Sequence, residues 1–178
     1  MSHLFRNRVL SVSIACSAFL LTVSLVLAQE LGGVITSYAD GDSFRLGQVG
    51  IRLDGIDAPE SADRCVRAGV PWDCAALAQK ALQAIAGSSP LKCISSYCDP
   101  YKRRVSICRV GSKDVGEEMV RAGWAIDWPR YSNYRYKAVQ DEARRLKRGL
   151  WADGVQLPPR LIERMNSAPG RVDSYPCR

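Results

Sequence analysis

Apolar and polar positions alternate on both sides of an Asp-Gly turn in GGVITSYADGDSFRL, which predicts a β-hairpin over residues 32–46. VGIRLDGI predicts a third strand, with Ile51 and Leu53 on one face and Arg52 and Asp54 on the other. LKCIS and RVSICRV predict a second hairpin around SYCDPYKR. Helical spacing then recurs three times. CAALAQKALQAIAG puts Leu77, Ala81, Ala84 and Ile85 on one stripe, with Gly87 as C-cap. DVGEEMVRAG opens on a capping box of Asp114 and Glu117 and stops at Gly123. SNYRYKAVQDEARRLKRGLW predicts a longer helix capped by Ser132 and ending at Gly149. Residues 61–73, rich in Gly, Pro and charge, read as a loop. The last 27 residues, 152–178, hold four prolines and read as a partly irregular tail. Five short strands with helices at their ends predict an α+β class, an OB-fold: a small closed five-stranded β-barrel with three α-helices.

The pattern differs ahead of the first strand. His3, Arg6 and Arg8 precede twenty mostly apolar residues, Val9 to Ala28, which close on Val26-Leu27-Ala28. This predicts a signal peptide over residues 1–28, cut before Gln29, and a secreted or periplasmic protein. An N-terminal membrane anchor is the alternative, because twenty such residues just cross a bilayer. The folded domain is then expected over 29–151, with 152–178 as the tail.

Export changes the inventory. Of 25 Lys and Arg residues, Arg6 and Arg8 leave with the leader, so 23 face 18 acidic residues, a net charge of +5. The single histidine, His3, leaves too. Without histidine the mature chain has no Ser-His-Asp or Cys-His mechanism and none of the usual histidine-containing zinc sites. Cys16 also departs, leaving an even set of six cysteines. In an oxidising compartment these predict three disulfides, which can be drawn in 15 ways. Cys65 and Cys74 can staple a short loop. Cys93 and Cys108 lie symmetrically about the turn at Pro100-Tyr101, and elimination leaves Cys98 with Cys177, tying down the tail.

The chemistry concentrates in RLDGIDAPES, where Asp57 and Glu60 bracket Ala58-Pro59. Asp-x-x-Glu is also a capping box, but the following SADRCVRAGVP has no apolar stripe, and Pro59 favours extended backbone at Ala58. An extended segment separates the two carboxylates by about 10 Å, enough for an ion, a water and a phosphate between them. Asp40 and Asp42 in ADGDS form a second acidic cluster. Asp-Gly is good turn chemistry by itself, whereas Asp42 starts the outgoing strand. Asp42 and Asp57 at strand ends would offer hard oxygens to Ca²⁺ or Mg²⁺, and Glu60 would take a proton from water. Arg52 and either Arg103 or Arg104 would match phosphate oxygens. Tyr101, Tyr131, Tyr134 and Trp128 are candidates for stacking bases, with Tyr101 foremost.

ADGDS, IRLDGIDAPE, DPYKRRV, GEEMVRAGWA and EARRLKRGLW stand in the order and spacing of the staphylococcal-nuclease-like, or thermonuclease, family, which the chain resembles from Gly33 to Trp151. The resemblance implies a five-stranded OB-type barrel with three helices. It also implies Ca²⁺-dependent hydrolysis of DNA and RNA to 3′-phosphate and 5′-hydroxyl ends. Under it, Asp42, Asp57 and the Ala58 carbonyl would ligate calcium, with Asp40 beside them. Glu60 would be the general base, and Arg52 and Arg103 would bind phosphate. Tyr101 and Tyr131 would contact substrate, and Lys102, next to Tyr101, is this chain's own further candidate for substrate binding. Lys102 stands where the family usually has glycine, so a different turn is expected if that position needs positive φ. Ser43 replaces a common threonine.

The expected partners are DNA and RNA, single-stranded or unwound, bound by a monomer without stable membrane association once the leader is gone. An inactive nucleic-acid-binding module on the same barrel is the alternative, since a fold does not fix a function. A purely structural disulfide-rich domain would leave the acids and arginines unexplained.

Overall fold

Both predicted hairpins form, and they join through one parallel pairing. The structure is a computed structural model that describes residues 29–170 and 174–177; the predicted signal peptide, with His3 and Cys16, lies outside the described residues. In chain order the elements are β1 (Gln29–Gly33), β2 (Ile35–Tyr38), β3 (Ser43–Leu46), β4 (Val49–Leu53), β5 (Ile56–Asp57), β6 (Cys65–Arg67), β7 (Val70–Trp72) and α1 (Cys74–Ala86). Then follow β8 (Leu91–Cys98), β9 (Arg104–Val110), β10 (Lys113–Asp114), α2 (Val115–Arg121), β11 (Ile126–Asp127), α3 (Pro129–Ser132) and α4 (Lys137–Arg145). A 3₁₀ turn (Gly149–Trp151), β12 (Val155–Gln156) and α5 (Pro159–Met165) complete the order.

The main sheet runs β1-β8-β9-β4-β3-β2, with β10 added on β9. Its neighbours are antiparallel except β4 and β9. The fold is the expected α+β OB type. Its sheet is a curled half-barrel rather than a closed barrel, since the path ends at β1 and β2 without a ladder between them among the described residues.

Alternation along β3 and β4 sends Phe44, Ile51 and Leu53 inward, against Ala78 and Leu82 of α1 and Met119 and Val120 of α2. Cys93 and Cys108 are register partners on β8 and β9, and their disulfide is wholly buried in this core. The other two predicted bonds, Cys65–Cys74 and Cys98–Cys177, are also present.

Several local expectations need correction. The loop at 61–73 is a short hairpin, β6–β7, turned by Ala68 and Gly69 at φ 51° and 81° and closed by Cys65–Cys74. On α1 the buried stripe is Cys74, Ala78, Leu82 and Ala86, whereas Ala84 is exposed. Alanine and leucine occur on several sides of this helix, so composition alone left its rotation open. The long helix begins late. Asn133 and Tyr134 take left-handed backbone at φ 51° and 62°, so Ser132 closes α3, and its hydroxyl accepts from Tyr134 N–H at 3.0 Å.

The stretch after Trp151 contains α5. Leu161 on this helix is fully buried against Ile126, Leu150 and the Cys65–Cys74 bond, in a second apolar cluster. Near the chain's end, Tyr175 pairs with Cys98 through two backbone hydrogen bonds, beside the Cys98–Cys177 bond.

Candidate active site

The ADGDS turn brings Asp42 to the base of β3. Gly41 permits this, because a Cβ there would lie 2.7 Å from the Ala78 side chain and 2.8 Å from that of Ala58. The turn therefore seats directly on α1 and on the DAPE segment. Register places Ser43 opposite Arg52, and Asp57 follows in the two-residue strand β5, paired with β11.

These elements converge on one network. Asp42, 1% exposed, accepts from the Ser43 hydroxyl and from Arg52 Nη1, both at 2.7 Å, and from Ala58 N–H at 3.0 Å. Arg52 Nη2 donates at 2.7 Å to Asp57, which is 0% exposed. Ser43 in turn accepts from Arg103 Nη1 at 3.0 Å. The serine that replaces threonine thus links the two predicted phosphate-binding arginines through Asp42. Asp40 sits one step out, its carboxylate accepting from Asp42 N–H at 2.9 Å.

Burial and charge set the protonation states. Burial, then the Asp42 charge, pushes Asp40 up to about 7, so it is partly protonated at neutral pH. Burial and Asp42 likewise push Asp57 up to about 6, against the pull of its arginines. Burial would raise Asp42 as well, but Arg52, the Ser43 hydroxyl and Ala58 N–H together outweigh it and hold this carboxyl low.

The Asp99 turn fixes Arg103. The Asp99 carboxylate accepts from Tyr101 N–H at 3.0 Å, from Arg103 N–H at 2.9 Å and from Arg103 Nε at 2.7 Å. Lys102 takes φ 64° in this turn. The expected change of turn therefore does not occur: lysine adopts the left-handed conformation that glycine takes without strain. Lys102→Gly is expected to raise stability by up to about 1 kcal/mol, because relief of left-handed strain exceeds the added chain entropy. A shift of the denaturant midpoint at constant m-value checks this.

A cavity of about 290 Å³ opens above the network, lined by Arg52, Glu60, Arg103, Tyr97, Tyr101, Trp128 and Tyr131. Glu60 is half-exposed at its rim, and Tyr101, 80% exposed, stacks on Arg103 at 5.4 Å. Trp128 and Tyr131 meet edge to face with centroids 4.4 Å apart. A larger cleft of about 540 Å³ lies on the Asp40 side. It holds none of Arg52, Glu60 or Arg103, so the smaller cavity is the candidate reaction pocket. Of the predicted site residues, Arg52, Glu60, Arg103, Tyr101, Tyr131 and Trp128 line it; Lys102 and Tyr134 do not, Asp42, Asp57 and Ala58 are buried in the network, and Asp40 lines the larger cleft.

Sequence reasoning missed the contribution of α5. Arg160 and Arg164 both donate to Asp57 from more than a hundred residues away. Arg160 also donates to the Ala58 carbonyl at 2.9 Å and to Asp63, while Arg164 stacks over Trp128 at 4.3 Å. One signal was available: Pro158-Pro159 ahead of Leu161 and Met165 is a helix start with an apolar i, i+4 pair.

The fold and this pocket define an α+β domain of OB type. Residues 50–153 match the family described as Staphylococcal nuclease homologue, and the chain belongs to that family. It is 28% identical over 144 residues to Succinoglycan biosynthesis protein ExoI of Rhizobium meliloti (strain 1021), covering 79% of this chain and 75% of that one. It is 32% identical over 123 residues to Probable endonuclease LCL3 of Schizophyllum commune (strain H4-8 / FGSC 9210), covering 60% of this chain and 41% of the relative, so it spans less than half of that protein. A third relative, Uncharacterized endonuclease of Escherichia coli O157:H7, is 29% identical over 140 residues, with coverages of 75% and 86%.

Proposed function

We propose that this protein is a secreted, calcium-dependent endonuclease that hydrolyses phosphodiester bonds of DNA and RNA to 3′-phosphate and 5′-hydroxyl ends. The observation that carries the reading is the convergence of Asp42, Asp57, Arg52 and Arg103 from distant segments onto one hydrogen-bonded network, whose two arginines line a pocket together with Glu60. Endonuclease names among the relatives support it.

The donor set fits calcium. The Asp42 and Asp57 carboxylates and the Ala58 carbonyl are hard oxygens brought together by Arg52, the Ala58 N–H and Arg160. No group of three or more acidic, His or Cys side chains forms a metal cluster among the described residues, so water and the backbone carbonyl would complete a weak shell. Calcium bound there would polarise the phosphoryl oxygens and offset their charge. The protein's own groups do the rest. Glu60 takes the proton of the attacking water as its oxygen bonds to phosphorus. Arg103, fixed by Asp99, and Arg52, fixed by two aspartates, face the phosphoryl oxygens as negative charge builds. The bond to the 5′ oxygen breaks as that oxygen takes a proton from solvent water, leaving a 5′-hydroxyl on one product and the phosphate on the 3′ side of the other.

Aromatic rings at the pocket favour bases freed from a duplex, hence single-stranded or unwound substrate. Three disulfides fit an oxidising compartment, and no helix of the described residues is long and apolar enough to cross a membrane. Residues 29–178 are expected to cut single-stranded DNA and RNA with calcium and to stop with a chelator. The new ends would carry 3′-phosphate, read by end-labelling. Intact substrate in calcium, with a folded protein, would refute the reading.

A further inference from the structure

Calcium at the proposed site would meet a cation already supplied by the chain. Arg160 Nη1 donates to Asp57 and lies 3.5 Å from Glu60 Oε1. Its Nη2 donates to the Ala58 carbonyl at 2.9 Å and to Asp63, and Nε donates to Asp63 at 3.2 Å. One guanidinium thus engages two of the three oxygen donors assigned to the metal, together with the carboxylate assigned to the water.

We infer that Arg160 is an internal counter-ion for the metal site, and that a divalent ion binds by displacing its guanidinium from Asp57 and the Ala58 carbonyl. This rests on the calcium reading above. Guanidinium and metal need the same oxygen lone pairs, and two cations repel strongly at such range in a poorly solvated site. The exchange requires only side-chain movement. Leu161, the next residue, is fully buried and anchors α5, while the Arg160 side chain is 24% exposed and has a route outward. Asp63 offers a holding point, since it takes two of the guanidinium's donors without touching Asp57. Until the ion arrives, Arg160 helps to neutralise a fully buried Asp57 and restrains Glu60.

The test compares wild type, Arg160→Gln and Arg160→Lys as full mature chains, by calcium titration calorimetry and by melting in chelator and in calcium. Arg160→Gln is expected to melt below wild type in chelator, to gain more from calcium than wild type does, and to bind calcium about tenfold more tightly, the scale of one lost charge-assisted contact. Arg160→Lys keeps the charge but cannot span Asp57, Ala58 and Asp63 at once. It is expected to fall between the two, and it carries the test if the glutamine variant does not fold. Wild-type calcium affinity in the variants, with lowered melting that calcium does not restore, would make Arg160 a structural residue and overturn the inference while leaving the calcium reading standing. No calcium binding by any of the three proteins would overturn both.

Discussion

Glu60→Gln is expected to lower kcat on single-stranded DNA by about 10²–10⁴-fold, the usual worth of a positioned general base, with KM and melting temperature close to wild type. Glu60 is left by elimination among the acids of the site. Asp42 and Asp57 are buried and committed to Arg52, and Asp57 also takes Arg160 and Arg164. Both Asp99 oxygens serve the turn that holds Arg103. Asp63 accepts from Glu60 N–H at 2.8 Å and from Arg160. Asp40 lines the other cleft. Glu60 alone among these carboxylates lines the reaction pocket half-exposed, with a single long ion pair to Arg160. Such a pair is worth at most about 1 kcal/mol, so the variant should fold normally. Single-turnover rates and substrate affinity, measured separately, check this. A loss of less than about tenfold would assign the proton to another group.

That elimination draws on contacts which the sequence displays unevenly. Asp42, Arg52 and Asp57 were legible because period-2 alternation put them off the apolar face or at strand ends, and a hairpin fixes register locally. The Cys93–Cys108 bond was legible for the same reason, being symmetric about its turn. The arginines of α5 were not. They reach Asp57 across sequence separations of 103 and 107 residues, and nothing local ties Pro159 to the barrel until Leu161 is buried against Ile126 and Leu150. Four prolines made that stretch read as irregular, although two of them open a helix. The left-handed turn at Asn133-Tyr134 escaped for a different reason: helical spacing continues through it, and tertiary packing of α3 overrides the local preference.

Arg52→Gln is expected to cost about 3 kcal/mol of stability at pH 7, a fall in melting temperature on the order of 10 °C for a domain of this size. Among the described residues Arg52 is the one side chain that bridges Asp42 and Asp57, and it is only 11% exposed. Its positive charge is strongly favoured by those two carboxylates despite burial. Without it Asp57 retains Arg160 and Arg164, but Asp42 is left with the Ser43 hydroxyl and the Ala58 N–H. Breaking a buried pair typically costs about 3–5 kcal/mol, and the surviving arginines on Asp57 argue for the lower end. The deficit should depend on pH. Asp57 already sits at about 6, above its ordinary value, so its ionisation opposes folding as pH rises through that range. Removing Arg52 raises both aspartates further, so the variant loses most above pH 6 and recovers part of the loss as pH falls towards 5, where the carboxyls protonate. Denaturant melts at both pH values measure the difference. A cost below about 1 kcal/mol, or one that does not change with pH, would mean that Arg160 and Arg164 neutralise the acid pair by themselves.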